Sequence, residues 1–206
     1  MQDKYDSFAD LEAGGEIVDR DYNITVRERP QSGVLIVAPH GGSIEIGTTE
    51  LAEIIAGDDY SLFAFNGLKL RGRNRDLHIT SHHFDHPECV ALAGRHAVVL
   101  GVHGCKGDSS QVYVGGRDDE LAALLTARLE AASLPVAAPG HKYPGRNPLN
   151  ICNRGARARG AQLEFTLDLR SPSERTRIGP LVRSALAEFV TVLARDGYPG
   201  IRRPKP

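Results

Sequence analysis

The chain has 206 residues, of which 41% are apolar and 25% are charged, values typical of a soluble globular protein with one domain. Its net charge of −1 excludes a polycation built to bind nucleic acid, and no segment approaches the roughly 20 apolar residues of a membrane span. Three cysteines without C-x-x-C spacing exclude a disulfide framework and favour synthesis in a reducing compartment.

The first half of the chain predicts strands separated by helices. The run at 34–38 is continuously apolar, which is typical of a strand buried on both faces of a parallel or mixed sheet. A glycine-containing turn and a helix ended by Gly57 follow it, which gives a β-loop-α unit. In chain order we predict a helix at 7–16, strands at 22–29 and 34–38, a helix at 48–56 and a strand at 60–65.

The second half continues the alternation. We predict an apolar strand at 98–102, a helix opened by Asp118, a long ordered loop at 139–160, a strand at 162–168 and a final helix capped by Ser173. The tail at 197–206 is expected to fray. These elements predict an α/β fold, with a mixed, largely parallel twisted sheet flanked by helices and a core from about residue 15 to residue 196.

Two histidines occupy equivalent places at the ends of buried strands. His40 follows the strand at 34–38, His103 follows the strand at 98–102, and glycines come directly after both. If the two strands are neighbours, both imidazoles converge on one edge of the sheet. Glu45 lies five positions after His40. Two imidazoles and one carboxylate are a ligand set of catalytic zinc sites, although manganese or iron would accept the same ligand types.

A carboxylate within an apolar strand supplies a candidate base. Glu164 lies in the predicted strand at 162–168, where a carboxylate is costly unless it has a partner. That partner is either an arginine, such as Arg154 or Arg170, or a water molecule whose proton Glu164 accepts. We favour the water, and Asp168, on the same face of the predicted strand, is the alternative base.

Basic residues concentrate in two segments without acids, at 69–75 and 141–160. They are interpreted either as solvated loops or as a cationic rim that concentrates an anionic substrate. Cys105, two residues after His103, is expected to fill space beside the site and not to act as a nucleophile. A dense group of histidines is interpreted as exposed or as an outer layer of the site, and not as a second metal site: His78, His82, His83 and His86.

Four segments together resemble the poly-γ-glutamate hydrolase family. They lie at 38–45 (APHGGSIE), 74–81 (NRDLHITS), 102–105 (VHGC) and 162–165 (QLEF), in the order expected of that family. Its members are zinc enzymes of phages and bacteria, similar in fold to the zinc carboxypeptidases. The resemblance spans about residues 15–195 and therefore implies a zinc-carboxypeptidase-like fold.

The resemblance also implies roles for individual residues. His40, Glu45 and His103 would hold one zinc ion per chain, and Glu164 would be the general base. The substrate would be a polymer joined by γ-glutamyl amides, with a carboxylate on every residue. Arg75, with Asn74, would also stabilise the developing oxyanion. The residues assigned to binding this substrate are Asn74, Arg75, His78, Lys106, Arg146 and Arg154.

Alternatives remain open at this point. In the wider carboxypeptidase pattern two residues separate the first histidine from the glutamate, whereas four separate His40 from Glu45, so Glu50 is an alternative third ligand. We prefer Glu45 because Glu50 lies farther from the strand end. The same zinc chemistry would also suit another acidic or cell-wall peptide, or an N-acyl amino acid. A non-catalytic binder of acidic polymers would keep the fold without the reaction.

The expected partners and location follow from the same observations. Nucleic acid and membranes are not expected partners, since only 12 of 206 residues are aromatic and the net charge is negative. Residues 1–6 are polar and show no secretory signal, so we expect a monomer made in the cytoplasm. If a phage encodes the chain, lysis of the host would release it to an extracellular polymer.

Overall fold

A computed structural model describes residues 3–29, 31–70, 72–198 and 201, so Arg71 and most of the predicted tail at 197–206 lie outside the described residues. The described strands are β1 Tyr22–Arg27, β2 Val34–Gly42, β3 Ser61–Gly67, β4 Val98–Gly104, β5 Val112–Gly116 and β6 Ala161–Phe165. The α-helices are α1 Phe8–Ala13, α2 Thr48–Ala56, α3 Pro87–Gly94, α4 Asp119–Ala131 and α5 Pro172–Arg195. Short 3-10 helices lie at Asn74–Leu77, Ile151–Asn153 and Asp168–Arg170.

The strands form one mixed sheet in the order β1-β3-β2-β4-β6-β5. The four central strands are parallel to one another, while β1 and β5 are antiparallel edge strands. The chain proceeds from β2 to β3 on one side and then returns to β4 on the other side of β2. The order of the strands therefore reverses between β2 and β4, the place where open α/β sheets bind ligands. The predicted α/β fold class is confirmed.

Alternate side chains of the central strands enter two apolar layers. Val34 and Ile36 of β2 pack in a cluster with α2, α4 and α5, whereas Leu35 and Val37 pack in the opposite cluster with α1 and α3. Helices thus cover both faces of the sheet, which leaves the edge at the carboxyl ends of the strands for ligands. Among the described residues, none of the helices combines the length and apolar character needed to cross a bilayer.

Several element boundaries differ from the predicted ones. β2 continues to Gly42 and β4 continues to Gly104, so both candidate histidines lie within strands and not after them. β6 ends at Phe165, which places Asp168 outside the strand. α5 is capped by Ser171 and not by Ser173, because Pro172 takes the first helical position, where its missing N–H has no cost.

The sequence patterns did not predict α3 or β5. α3 begins at Pro87, directly after the dense histidines, and spans eight residues with a weak apolar face. β5 has five residues, of which two are glycines, so its apolar alternation is too short to recognise. β5 is nevertheless important, because it is the strand that lies next to β6.

A buried ion pair anchors the long loop between α4 and β6. Arg157 Nη1 lies 2.5 Å from Asp118 Oδ2, and the two side chains are 2% and 0% exposed. Asp118 also accepts a hydrogen bond from the backbone N–H of Leu121 and so caps α4. The Arg157 guanidinium lies over the ring of Phe189 in α5, 5.2 Å from its centroid. The loop is therefore attached to two helices at once.

Replacing Asp118 with alanine should lower the free energy of unfolding by about 3–5 kcal/mol, because Arg157 would stay buried without its partner. Urea denaturation would measure the loss. Glu188→Ala is the matched control, since it breaks an exposed pair with Arg128 and should cost at most about 1 kcal/mol. Equal losses in the two variants would contradict a special role for the buried pair.

Candidate metal and catalytic site

The two candidate histidines meet at the carboxyl edge of the sheet, between the neighbouring strands β2 and β4. A bulge in β2 aims the first of them, because Pro39 and His40 together oppose one residue of β3. Bulges redirect side chains, and they tolerate proline because the extra residue makes no regular ladder bond. His103 lies near the end of β4, which pairs directly with β2. The local irregularity of one strand thus brings the two rings together.

Glu45 completes a compact group of three donor residues. His40 Nδ1 lies 3.2 Å from His103 Nδ1 and 3.2 Å from Glu45 Oε1. His103 Nδ1 lies 3.9 Å from Glu45 Oε2. The tight turn after β2 makes this possible, because the backbone N–H of Glu45 donates to the carbonyl oxygen of His40 and folds the loop back on the strand.

These distances fit a zinc ion. Ligands arranged tetrahedrally at about 2.0–2.1 Å from zinc lie about 3.3 Å from one another. His40 Nδ1 lies 3.2 Å from His103 Nδ1 and 3.2 Å from Oε1 of Glu45, and the nearer contact of His103 with this carboxylate, through Oε2, is 3.9 Å. Imidazole nitrogen and carboxylate oxygen are also the donors of catalytic zinc sites, which leave the fourth position to water. The residues present therefore suit the predicted metal in both spacing and chemistry.

The segment at 78–81 forms an outer layer around the donors. The carbonyl oxygen of Ile79 lies 2.7 Å from His40 Nε2, and it can only accept, so Nε2 carries the hydrogen and Nδ1 is left as the bare nitrogen. Ser81 Oγ lies 3.4 Å from His103 Nε2. Such partners fix the orientation of a ligating ring. The outer layer at 78–81 thus points both Nδ1 atoms at Glu45.

A third imidazole, that of His78, adjoins the same group. Its ring stacks on His40 with centroids 4.0 Å apart, its Nε2 lies 3.7 Å from Glu45 Oε1, and its Nδ1 bonds to Asp3 Oδ1 at 2.7 Å. His40, Glu45 and His78 also place one ligand atom each within 4.8 Å of one another. We favour His103 as the third donor because it is closer to His40, and a fourth protein ligand would close the position needed by water.

The charge states of the donors differ. Burial alone would lower the pKa of His40, but the carboxylate of Glu45 raises it, so a metal ion would compete with a proton for Nδ1. Burial and the charge of His40 lower the pKa of His103 to about 3, so its imidazole is neutral near pH 7 as a ligand must be. Burial alone would raise the pKa of Glu45, but His40 and the N–H of Gly104, 2.7 Å from Oε2, bring it down to about 2. The carboxylate is therefore ionised at the centre of the group.

Glu164 lies beside these donors on the next strand. β6 pairs Glu164 with His103 of β4 on one side and with Tyr113 of β5 on the other. Burial and the negative charge of Glu45 raise the pKa of Glu164 to about 8. It receives a hydrogen bond from Gln162, and no ion pair with either predicted arginine is present among the described residues. A carboxyl with a pKa near neutrality can both accept and return a proton.

Two tyrosines and a lysine around Glu164 were not predicted from the sequence, whereas Arg170 was named as a possible partner. Tyr143 packs edge-on against Tyr113, with ring centroids 5.0 Å apart, and lies close to the thiol of Cys105. Arg170 and Lys142 act on Glu164 through their positive charge. The one available signal was the length of the loop at 139–160, which carries Lys142 and Tyr143. Burial raises the pKa of Cys105 to about 11, which agrees with a space-filling role and not a nucleophilic one.

Arg170 joins the three chain segments that carry the site. It is buried, its Nε donates to the carbonyl oxygen of Phe165 at the end of β6, and its Nη1 donates to that of Ile46 in the loop after β2. The guanidinium also packs on Gly104 at the end of β4, where a Cβ atom would lie 2.4 Å from it. A side chain at position 104 would therefore displace this tie.

Two predicted substrate-binding residues are engaged elsewhere. The buried amide of Asn74 is used by the backbone of Lys69, whose N–H donates to Oδ1 and whose carbonyl oxygen accepts from Nδ2. It is therefore not free to polarise a substrate carbonyl. Arg146 forms an exposed ion pair with Asp119 at the start of α4, with Nη1 and Oδ1 2.7 Å apart.

The other predicted cations lie in different surroundings. Arg154 is close enough to Cys89 of α3 for its charge to oppose the burial that raises the pKa of that thiol. Arg75 is exposed, 3.9 Å from Asp3 and three residues before His78. Lys106 is exposed in the loop directly after β4. Of the predicted cations, Arg75 and Lys106 therefore border the site. Neither forms a short ion pair with an acidic side chain among the described residues.

The remaining alternatives are separated from the donor group. Glu50 is exposed on α2, whereas Glu45 contacts His40. Asp168 hydrogen-bonds with Thr166 and Ser110, so the expectation that it shares a strand face with Glu164 is wrong, because β6 ends before it.

The dense histidines do not converge on one point. The rings of His82 and His83 pack against each other with centroids 4.2 Å apart. His86 lies against Phe8 and Phe63, at centroid distances of 4.3 and 5.1 Å. Only His78 of the four adjoins the donor group within the part of the chain that the structure describes.

Comparison with known sequences identifies related proteins. A model of the poly-γ-glutamate hydrolase family matches residues 5–179. Two curated proteins of Bacillus subtilis strain 168 are similar to this chain: YndL, 36% identical over 171 residues, and the SPbeta prophage-derived YoqZ, 36% identical over 170 residues. Each match covers 82% of this chain, which spans 66% of the length of YndL and 60% of that of YoqZ.

Solved structures extend the comparison to the fold. A bacteriophage poly-γ-glutamate hydrolase matches with a TM-score of 0.86 and 31% identity, over 93% of this chain and 100% of that one. A zinc-free structure of YndL matches with a TM-score of 0.77 and 30% identity, over 96% of this chain and 100% of that one. The zinc-carboxypeptidase-like fold expected from the resemblance is confirmed.

Zinc affinity should separate the two overlapping histidine sets. His103→Ala should abolish stoichiometric zinc binding, whereas His78→Ala should weaken it by about 10–100-fold, the usual cost of losing an outer partner. His82→Ala, outside the donor group, is the control and should bind like the wild type. Competition with a chromophoric chelator measures all three. A greater loss in His78→Ala than in His103→Ala would make His78 the third ligand.

The raised pKa of Glu164 predicts a pH-dependent cost to the stability of the zinc-free protein. Because the pKa rises from 4.5 to about 8 on folding, the cost is absent below pH 4.5, grows with pH and is complete above about pH 8. Glu164→Gln should therefore raise the free energy of unfolding in alkaline buffer, by about 1.4 kcal/mol for each pH unit between the two values. Urea denaturation with EDTA at both ends of this range tests it, and an equal effect at both would contradict it.

Proposed function

The chain belongs to the poly-γ-glutamate hydrolase family, and from this membership we propose that it is a zinc-dependent hydrolase that cleaves the γ-glutamyl amide bonds of poly-γ-glutamate. One observation carries the proposal. Three donor residues with spacing close to that of zinc ligands lie beside Glu164, a carboxyl on the neighbouring strand that has no ion pair among the described residues and would be available there to transfer a proton. A metal site without a base would support binding, whereas the two together support hydrolysis.

His40, Glu45 and His103 would hold the zinc ion. Bound zinc would lower the pKa of a water molecule towards about 7 and polarise the scissile carbonyl. Ile79 and Ser81 would keep the two imidazoles in place, since each holds the ring nitrogen that faces away from Glu45.

Glu164 would move the proton. As the water attacks the carbonyl carbon of the γ-amide, Glu164 accepts one proton from it. After the carbon–nitrogen bond breaks, Glu164 delivers that proton to the departing α-amine and returns to its starting state. The pKa of about 8 belongs to the zinc-free protein, and the positive charge of a bound zinc ion would lower it, so that Glu164 would be ionised when the water attacks and could later return the proton.

Cations beside the site would bind the carboxylates of the polymer. Arg75 and Lys106 border the site from the segments that carry His78 and His103, and Lys142 acts on Glu164 from the long loop. We propose these three as the substrate-binding cations, since Arg146 is paired with Asp119. A polymer with one negative charge per residue would meet positive charge on both sides of the metal site.

Incubation with poly-γ-glutamate and zinc tests the proposal. The wild type should shorten the polymer, His40→Ala should lose both zinc and activity, and Glu164→Gln should keep its zinc while losing activity by about 10²–10⁴-fold. Glu50→Gln, on the exposed face of α2, is the matched carboxylate control and should act like the wild type. Chain length is measured by size-exclusion chromatography and metal content by atomic emission.

Two results would contradict the proposal in different ways. A zinc-loaded wild type that leaves the polymer intact would reject the substrate and direct the search to other acidic amides. Full activity in Glu164→Gln would instead reject the assignment of the base.

A further inference from the structure

Glu164 stands at the end of a chain of hydrogen-bonded side chains. Gln162 Nε2 donates to Glu164 Oε1 at 3.3 Å, and Asn150 Nδ2 donates to Gln162 Oε1 at 2.8 Å. Both amides are buried, Asn150 at 6% exposure and Gln162 at 4%. Because a buried polar atom without a partner is costly, neither amide can turn over alone. We call Asn150 and Gln162 the amide relay.

Backbone groups at both ends determine the direction of the amide relay. The N–H of Cys152 lies 3.1 Å from Asn150 Oδ1, and an N–H can only donate. The carbonyl oxygen of Tyr143 lies 3.5 Å from Gln162 Nε2, and a carbonyl can only accept. The two constraints agree. In each amide the oxygen is on the side of the relay that leads to Cys152, and the nitrogen is on the side that leads to Glu164.

We infer that the amide relay positions Glu164 by occupying Oε1 as an acceptor, which confines the transferred proton to Oε2. This inference rests on the general-base role proposed above. Because the N–H of Gln162 already uses Oε1 as an acceptor, Oε1 is the less favourable oxygen for a proton, and a proton taken from water resides on Oε2. Oε2 then returns that proton to the amine, and the carboxyl need not rotate between the two steps. Asn150 and Gln162 are thus positioning residues.

The long loop takes part in this arrangement. Gly145 has a left-handed backbone with φ of 60°, and a Cβ atom there would lie 2.7 Å from Gln162 Cδ. Because glycine has no Cβ atom, the backbone at residue 145 can pass close to the Gln162 side chain. Asn150 belongs to the same loop and reaches Gln162 from it. The anchor formed by Arg157 and Asp118 holds the far end of that loop.

Two substitutions act on the relay with little change in volume. Asn150→Asp keeps the acceptor for Cys152 but turns an oxygen towards Gln162 Oε1, so the Gln162 amide must reverse and present its own oxygen to Glu164. Gln162→Leu removes the relay altogether. Asn153→Asp is the matched control for disturbance of the loop itself, because Asn153 is 2% exposed and its side chain bonds to backbone groups of the loop and its neighbours, including the carbonyl oxygen of Gly145, but to neither amide of the relay.

Steady-state kinetics with saturating zinc give the functional readout. Asn150→Asp and Gln162→Leu should each lower kcat by about 10-fold or more, within the contribution of a general base, with KM unchanged because neither side chain binds substrate. The double variant should be no slower than Gln162→Leu alone. Asn153→Asp should lose stability but keep its kcat. A wild-type kcat in both relay variants, or an equal loss in Asn153→Asp, would overturn the inference.

A spectroscopic readout makes the test independent of activity. The side-chain NH₂ signal of Gln162 is the one that disappears from the ¹⁵N–¹H spectrum in Gln162→Leu. It should shift in Asn150→Asp and in Glu164→Gln and stay in place in Asn153→Asp. A signal that does not move in Glu164→Gln would overturn the relay. If the wild type fails to cleave the polymer, the proposed function fails while this spectrum still decides whether the relay exists.

Discussion

The parallel register of β2, β4 and β6 determines where the chemistry of this protein is placed. These strands lie side by side and run in one direction, so their carboxyl ends reach the same edge of the sheet. Their side chains enter apolar layers on both faces, and a slip of one residue would exchange the two layers. His40, His103 and Glu164 keep their positions because the whole core keeps this register. The loops and short helices at this edge supply the remaining contacts.

Two carboxyl groups at this edge differ in charge state because their neighbours differ. Glu45 lies among imidazoles and accepts from a backbone N–H, and its pKa falls to about 2. Glu164 is buried beside the negative charge of Glu45, and these two causes raise its pKa to about 8. Two neighbouring carboxyl groups whose pKa values differ this widely are typical of sites where one group holds a cation and the other transfers a proton. The charge retained by the first group is itself a cause of the protonation of the second.

The central strands were predictable from the sequence because they are buried on both faces and are therefore continuously apolar, as the runs at 34–38 and 98–102 illustrate. The proximity of His40 and His103 followed from this pattern, while their roles as ligands stay predictions. The relay was not predictable, because Asn150 and Gln162 meet only through the path of a loop, and contacts between loop side chains have no periodic signal. Charge composition failed for another reason. The charge pattern identified Arg146 as a candidate substrate-binding cation, but it could not reveal that Asp119 would form an ion pair with it.

The outer layer at 78–81 contacts the donors partly through its main chain, and this affects how the site can vary. His40 is oriented by the carbonyl oxygen of Ile79, a group that every amino acid possesses. Exchange of the isoleucine side chain would therefore alter packing but leave that hydrogen bond available. Loss or gain of one residue in this stretch would instead move the carbonyl away from the imidazole and separate Ser81 from His103 at the same time. At residue 79 the hydrogen bond to His40 thus depends on the length of the chain more than on the identity of the side chain.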